Sequence, residues 1–200
     1  MSTTSPVVGV LAVQGDVGAH ARALTAAGAL PRRVRRPEDL AGLSGLVLPG
    51  GESTTMDTLL RRYDLVDPLR QLLDDGTPVL GTCAGMVLLA ERLLDGSPGQ
   101  RTLGRLDVTV RRNAFGRQLD SFETDVTVTG LEDPFPAVFI RAPWVEGLGP
   151  RAVTLATVGD GRGGRRVVAV QQGSVLATSF HPELTADHRV HGLLVDLARG

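Results

Sequence analysis

Val7-Val-Gly-Val-Leu-Ala-Val13 is continuously apolar and rich in β-branched residues. That is the pattern of a strand buried on both faces, as in a parallel sheet. Gly15 and Asp16 then open a stretch with Val17, Ala21 and Leu24 at helical spacing, and Gly28 is placed to close it. A short strand is expected near Arg33–Arg35, and Gly45–Leu48 reads as a third strand ended by Pro49-Gly-Gly51. Glu52-Ser-Thr-Thr55 reads as a helix entry with Leu59 and Leu60 on the apolar face. Val66–Asp74 reads as a further helix, with Pro68 in its first turn. Thr77–Leu80 is a short strand, and the apolar positions Met86, Val87, Leu89, Ala90, Leu93 and Leu94 predict one helix over Cys83–Leu94. Alternating strands and helices imply an α/β domain with a largely parallel sheet.

Beyond residue 105 the period shortens. Leu106–Val110, Asp125–Val128, Val138–Ile140, Val153–Val158, Arg166–Gln171 and Val175–Ser179 are short alternating runs separated by Gly and Pro, which predicts antiparallel additions to the parallel core. A last helix, about Ala186–Ala198, carries Val190, Leu193, Leu194 and Leu197 on one stripe. No repeat or linker divides residues 1–200, so one domain is expected, with residues 1–6 a flexible polar tail.

Composition narrows the chemistry. The 200 residues carry a net charge of −1, which argues against a nucleic-acid partner, and the Arg32–Arg36 and Arg165–Arg166 clusters are expected to be solvated loop faces. No apolar run approaches a membrane span and the first residues lack the features of a secretion signal, so a cytoplasmic protein is expected. All 21 basic residues are arginine, which removes Schiff-base and P-loop lysine chemistry. The single cysteine, Cys83, removes internal disulfides, Cys-x-x-Cys redox pairs and cysteine-based zinc sites.

Cys83 lies in Pro78-Val-Leu-Gly-Thr-Cys-Ala-Gly-Met86, a strand, then Gly-x-Cys-x-Gly, then a helix. This is the thiol counterpart of a nucleophile elbow. A sharp strand-to-helix turn lifts the nucleophile above the sheet, with Gly81 and Gly85 as the small residues of the turn. The following helix dipole favours a thiolate, and the Ala84 N–H is placed to donate to an oxyanion. A base is needed. His181, in Ser179-Phe-His-Pro-Glu183, follows an expected strand; Pro182 biases it to extended geometry, which sets Glu183 on the same side to orient the imidazole. His20, His188 and His191 fall on helices and read as surface or packing residues. Leu48-Pro-Gly-Gly-Glu-Ser-Thr-Thr55 supplies backbone N–H groups that could cradle an anion; it is not a Walker loop.

Gly-Thr-Cys-Ala-Gly at 81–85, Pro-Gly-Gly-Glu-Ser-Thr at 49–54 and Phe-His-Pro-Glu at 180–183 jointly resemble the class I, triad-type glutamine amidotransferases. The segments Val7–Gly15, Leu48–Met56, Arg112–Gln118, Ser121–Glu123, Phe139–Pro143 and Ser179–Arg189 narrow the resemblance to the branch that serves pyridoxal 5′-phosphate synthase. It implies a flavodoxin-like three-layer fold and glutamine hydrolysis through Cys83, His181 and Glu183 by a γ-glutamyl thioester. It implies oxyanion donors near Gly50, Gly51 and Ala84, and glutamine contacts from Gly51, Glu52, Ser53, Arg112, Ile140 and Arg141. Which arginine takes the α-carboxylate stays open. It further implies no cofactor, ammonia delivery to a synthase subunit, PdxS, and a place for Gln14 near the subunit contact. Two other readings are a triad with a different ammonia acceptor and a non-catalytic module on the same fold. The Arg112–Gln118 run weighs against the first, and the intact Cys83, His181 and Glu183 against the second.

Overall fold

The computed structural model describes residues 4–112, 121–160 and 163–200. In chain order the elements are β1 (Val7–Leu11), α1 (Val17–Ala26), β2 (Leu30–Val34), β3 (Gly45–Leu48), α2 (Ser53–Arg62), α3 (Val66–Asp74), β4 (Val79–Thr82), α4 (Ala84–Leu89), β5 (Ala90–Leu94), β6 (Leu106–Arg111), β7 (Ser121–Val126), β8 (Phe135–Ile140), β9 (Trp144–Leu148), β10 (Val153–Gly159), β11 (Arg165–Gln172), β12 (Val175–Thr178) and α5 (Arg189–Arg199). The main sheet runs β2-β1-β3-β4-β12-β11-β9-β6-β5, with β10 attached to β11. From β2 to β12 all pairings are parallel, the doubly wound half of the fold. From β12 onward β11, β9 and β6 pair antiparallel, while β7 and β8 form their own antiparallel ribbon.

Alternation along the parallel strands sorts the core into two layers. Leu46, Leu48 and Val79 face Met56, Leu60, Leu69 and Leu89 on the α2–α3–α4 side. Val47, Leu80 and Leu176 face Leu24, Phe139, Phe180, Val190 and Leu194 on the α1–α5 side. Parallel strands covered on both faces need apolar residues at every position, which explains the continuous runs at β1 and β3.

Two expectations are corrected. The helix expected over Cys83–Leu94 ends at Leu89; Ala90 has an extended conformation (φ −58°, ψ 142°) and begins β5. Apolar pairs at 89–90 and 93–94 satisfy helical spacing, but pairing decides: β5 lies parallel to β6, and Arg92 donates to Thr109 Oγ1 (2.8 Å) and Asp107 Oδ1 (2.9 Å) across the strands. β12, expected among the antiparallel additions, is antiparallel only to β11. Its other edge pairs in parallel with β4, from Val175–Val79 to Thr178–Thr82. At the N-terminus, Pro6 is buried and its carbonyl accepts from the Leu30 N–H (2.9 Å).

Candidate active site

The β4–β12 pairing brings the ends of two strands together, with Cys83 after one and His181 shortly after the other. Cys83 takes φ 48° and ψ −103°, a conformation costly for a side chain bearing Cβ. Its N–H donates to the Thr178 carbonyl (2.8 Å) and its carbonyl accepts from Val87 (3.3 Å), so both neighbouring elements hold the turn. The strain therefore sits on the cysteine and not on the glycines expected to absorb it. Gly81 and Gly85 serve close approach: a Cβ at Gly85 would run into the Leu48 carbonyl, and one at Gly81 into Leu89 and Gly85. Together they let α4 descend onto β3 and β4. The Ala84 N–H stands in the first turn of α4, where no intrahelical acceptor exists.

His181 and Cys83 line the same cavity, and the His181 Nδ1 lies 2.7 Å from Glu183 Oε1. Burial on its own would lower the His181 pKa; the hydrogen bond to Glu183 and the proximity of the Cys83 sulfur outweigh it and raise the value to about 10. Burial likewise opposes ionisation of Glu183, and the hydrogen bond to His181 with the nearby His20 ring reverses that and holds it well below the usual carboxylate range. The 181–183 geometry differs from the extended one expected: Pro182 opens a single 3-10 turn over Pro182–Leu184, and the turn, not alternation, brings the carboxylate under the ring.

A cavity of about 260 Å³ opens in front of the thiol, lined by Gly51, Glu52, Ser53, Cys83, Ala84, Val87, Arg112, Ile140, Arg141, Pro143 and His181. Nine residues inferred from the sequence thus converge there. Gly50 lies against the His181 ring, and Glu183 stands behind it. The Glu52 carboxylate caps α2, accepting from Thr54 N (3.1 Å) and Thr55 N (2.7 Å), and pairs with Arg112 at 2.9 Å. Ser53 is buried and its Oγ accepts from Gln100 Nε2 (2.9 Å). Gln14 does not cap α1, a role taken by Asp16; its Oε1 accepts the Glu52 N–H at 3.0 Å, pinning the Gly50–Glu52 loop. Larger grooves exist elsewhere, such as one of about 380 Å³ beside α2 and α3, but Cys83 does not line them.

The profile of the SNO glutamine amidotransferase family matches residues 10–199. The chain belongs to that family. It is 56% identical over 195 residues to "Pyridoxal 5'-phosphate synthase subunit PdxT" of Nocardioides sp., covering 98% of this chain and 97% of the relative. It is 60% identical over 191 residues to the protein of the same name from Acidothermus cellulolyticus, covering 95% and 92%. A solved structure titled "Crystal structure of glutamine amidotransferase" superposes with a TM-score of 0.88 at 48% identity, covering 96% of this chain and 98% of that one.

Within this SNO-family chain the two cavity arginines differ. Arg112 is committed: besides Glu52 it donates to Gln100 Oε1 (2.9 Å), Thr54 Oγ1 and Ser97 Oγ (3.2 Å each). Arg141, at the left-handed φ of 43°, makes no hydrogen bond or ion pair among the described residues. Residues 113–118 of the Arg112–Gln118 motif lie outside the described residues. Trp144 does not line the cavity; its Nε1 donates to Glu146 (2.7 Å), under the Arg166 guanidinium. Gln100 and Ser97, which brace Arg112 together with Thr54, carry no signal in the sequence; of the surface and packing alternatives for His20 and His191 the structure gives packing, both being fully buried with His20 against Glu183. Among the described residues no helix is long and apolar enough to cross a membrane.

Proposed function

We propose that this glutamine amidotransferase hydrolyses L-glutamine to glutamate and ammonia through Cys83, His181 and Glu183, in the cytoplasm, and passes the ammonia to a PdxS-type synthase subunit making pyridoxal 5′-phosphate. The observation that carries the reading is the convergence of the strained Cys83 turn and the His181–Glu183 pair on one cavity that also holds two arginines. The match to PdxT relatives over nearly the full length supports the acceptor.

His181 takes the thiol proton, and the sulfur attacks the glutamine side-chain carbonyl as a thiolate. The carbonyl oxygen becomes an oxyanion held by N–H groups of Ala84 and the Gly50–Gly51 loop. His181 gives its proton to the departing nitrogen, ammonia leaves, and a γ-glutamyl thioester remains. Water then yields a proton to His181 and attacks the thioester; glutamate departs and the sulfur is regenerated. Glu183 keeps Nδ1–H of His181 paired throughout and is not itself protonated. Gln14 steadies the oxyanion loop from the side on which the synthase subunit is expected to dock.

The test is glutamate release from glutamine, with and without the synthase subunit. Stimulation by the synthase and its loss in Cys83→Ala are expected. Full stimulated activity in Cys83→Ala would overturn the mechanism, and stimulation by a different ammonia acceptor alone would overturn the pathway.

A further inference from the structure

The hydrogen-bonded chain does not stop at Glu183. Its carboxylate is almost fully buried, with 2% of the side chain exposed, yet only Oε1 faces His181. Oε2 has no hydrogen-bond partner within ordinary range among the described residues; the group facing it is Nε2 of His20, at 3.5 Å. His20 comes from α1, is fully buried, and sets its other nitrogen, Nδ1, 2.9 Å from Nε2 of His191 on α5. Thr82 Oγ1, one residue before Cys83, is 3.4 Å from the same His20 Nε2.

The chemistry of the partners fixes the protons. An ionised carboxylate can only accept, so Nε2 of His20 must carry hydrogen. In the neutral ring Nδ1 is then the acceptor, and His191 must donate from its own Nε2. That leaves His191 Nδ1 as a bare lone pair, and this atom is buried without a partner. An unpartnered lone pair is the less costly of the two orphans, and burial drives the His191 pKa down to about 3, in agreement with a neutral ring. Every proton in the row therefore points towards Glu183. The cluster is not a metal site: among the described residues no His, Cys, Asp or Glu group has ligating geometry.

We propose that His20 is a positioning residue of this enzyme: its Nε2–H, fixed in tautomer by His191, holds the free oxygen of Glu183 so that the carboxylate stays ionised and aimed at His181. The inference rests on the triad reading above. A buried carboxylate with one idle oxygen can rotate or take up a proton, and either event releases His181 from its orientation. The titratable groups near Glu183 are His181 on its own segment, His20 on α1 and His191 on α5; His188, just before α5, lies near His191.

The two amide variants of His20 separate positioning from packing. In His20→Gln the side-chain NH₂ reaches the place of Nε2, and in His20→Asn it reaches only that of Nδ1. With the synthase subunit present, His20→Gln is expected to keep kcat within about threefold of the wild type. His20→Asn is expected to lose about tenfold or more in kcat with the KM for glutamine unchanged. The acid limb of its pH profile should move to higher pH, because a carboxylate that loses a donor protonates more readily. Equal activity in the two variants, or a loss that follows the folded fraction in a thermal melt while the acid limb stays in place, would make His20 a packing residue and overturn the proposal. Wild-type protein and Cys83→Ala run alongside. Absence of glutaminase activity in the first, or full activity in the second, would fault the triad reading itself.

Discussion

Gly50→Ala is a severe test of the site because the perturbation is one methyl group. A Cβ at Gly50 would lie 2.9 Å from Nδ1 and 3.4 Å from Nε2 of His181, and closest of all to Cε1. Ordinary contacts begin at about 3.5 Å, so ring and loop must separate by about an ångström. The loop has little room to retreat, since the Gly50 carbonyl is packed so tightly on Gly15 that a Cβ there would also collide with it. The ring must move instead, and the 2.7 Å bond from Nδ1 to Glu183 is the contact it loses. A displacement of about 1 Å in a catalytic group costs on the order of 10²-fold in rate, or about 2.7 kcal/mol of transition-state stabilisation. The added methyl costs about 1–3 kcal/mol in stability by overpacking, which leaves the fold intact at assay temperature. Synthase-stimulated glutamate release should show kcat down about 100-fold with KM within about threefold. A Gly50→Ala enzyme within threefold of wild-type kcat would show that the loop yields freely, and the argument that this glycine sets the place of the histidine would be wrong.

The two arginines should part company: Arg141→Gln is expected to raise the KM for glutamine about tenfold or more and leave the thermal midpoint unchanged. Arg112→Gln should also destabilise by about 1.5–3 kcal/mol in chemical denaturation, since it abandons charge-assisted bonds to Glu52 and Gln100. Gly192→Ala, in the interior of α5 with nothing within 4 Å of the added carbon, should stabilise by about 0.5–1 kcal/mol with activity unchanged. His181, raised from 6.5 to about 10 in the folded protein, contributes stability that is fully present below pH 6.5 and lost as pH rises through 10. Denaturation midpoints should therefore fall from pH 6.5 to 10, and His181→Asn should flatten that slope; a flat wild-type profile would contradict the raised value.

The parallel half of the fold was legible because strands buried on both faces write themselves as unbroken apolar runs, and β1, β3 and β4 fall within a few residues of the expected segments. The places where reading failed are those where a local pattern had two solutions. Leu89-Ala90 and Leu93-Leu94 suit one helix face as well as they suit a strand, and the choice is made by Asp107 and Thr109, which lie more than ten residues away and bind Arg92. Trp144–Leu148 is a strand for a similar reason. Its sequence alternates weakly, and pairing with β6 and β11 on its two edges supplies what the pattern lacks. The mixed neighbours of β12 are a matter of topology that no window of residues contains.

At the site, the motifs named the residues while the structure assigned the physical labour among them. Gly-x-Cys-x-Gly invites the view that glycines make the turn, yet the left-handed φ belongs to Cys83, and the glycines act by letting α4 touch Leu48. That arrangement is what a nucleophile needs. A glycine at the bend would leave it relaxed and mobile, whereas a strained cysteine, fixed by Thr178 behind and Val87 ahead, holds its sulfur in one place. The same logic separates Arg112 from Arg141, which are equivalent as letters. One, just past β6, is spent on bracing the Glu52 cap, and the other stands on a strained backbone in the cavity of the thiol with no hydrogen bond or ion pair among the described residues. His20 was invisible for a related reason. A histidine on an amphipathic helix reads as packing until the turn that carries Glu183 is placed 3.5 Å away from it.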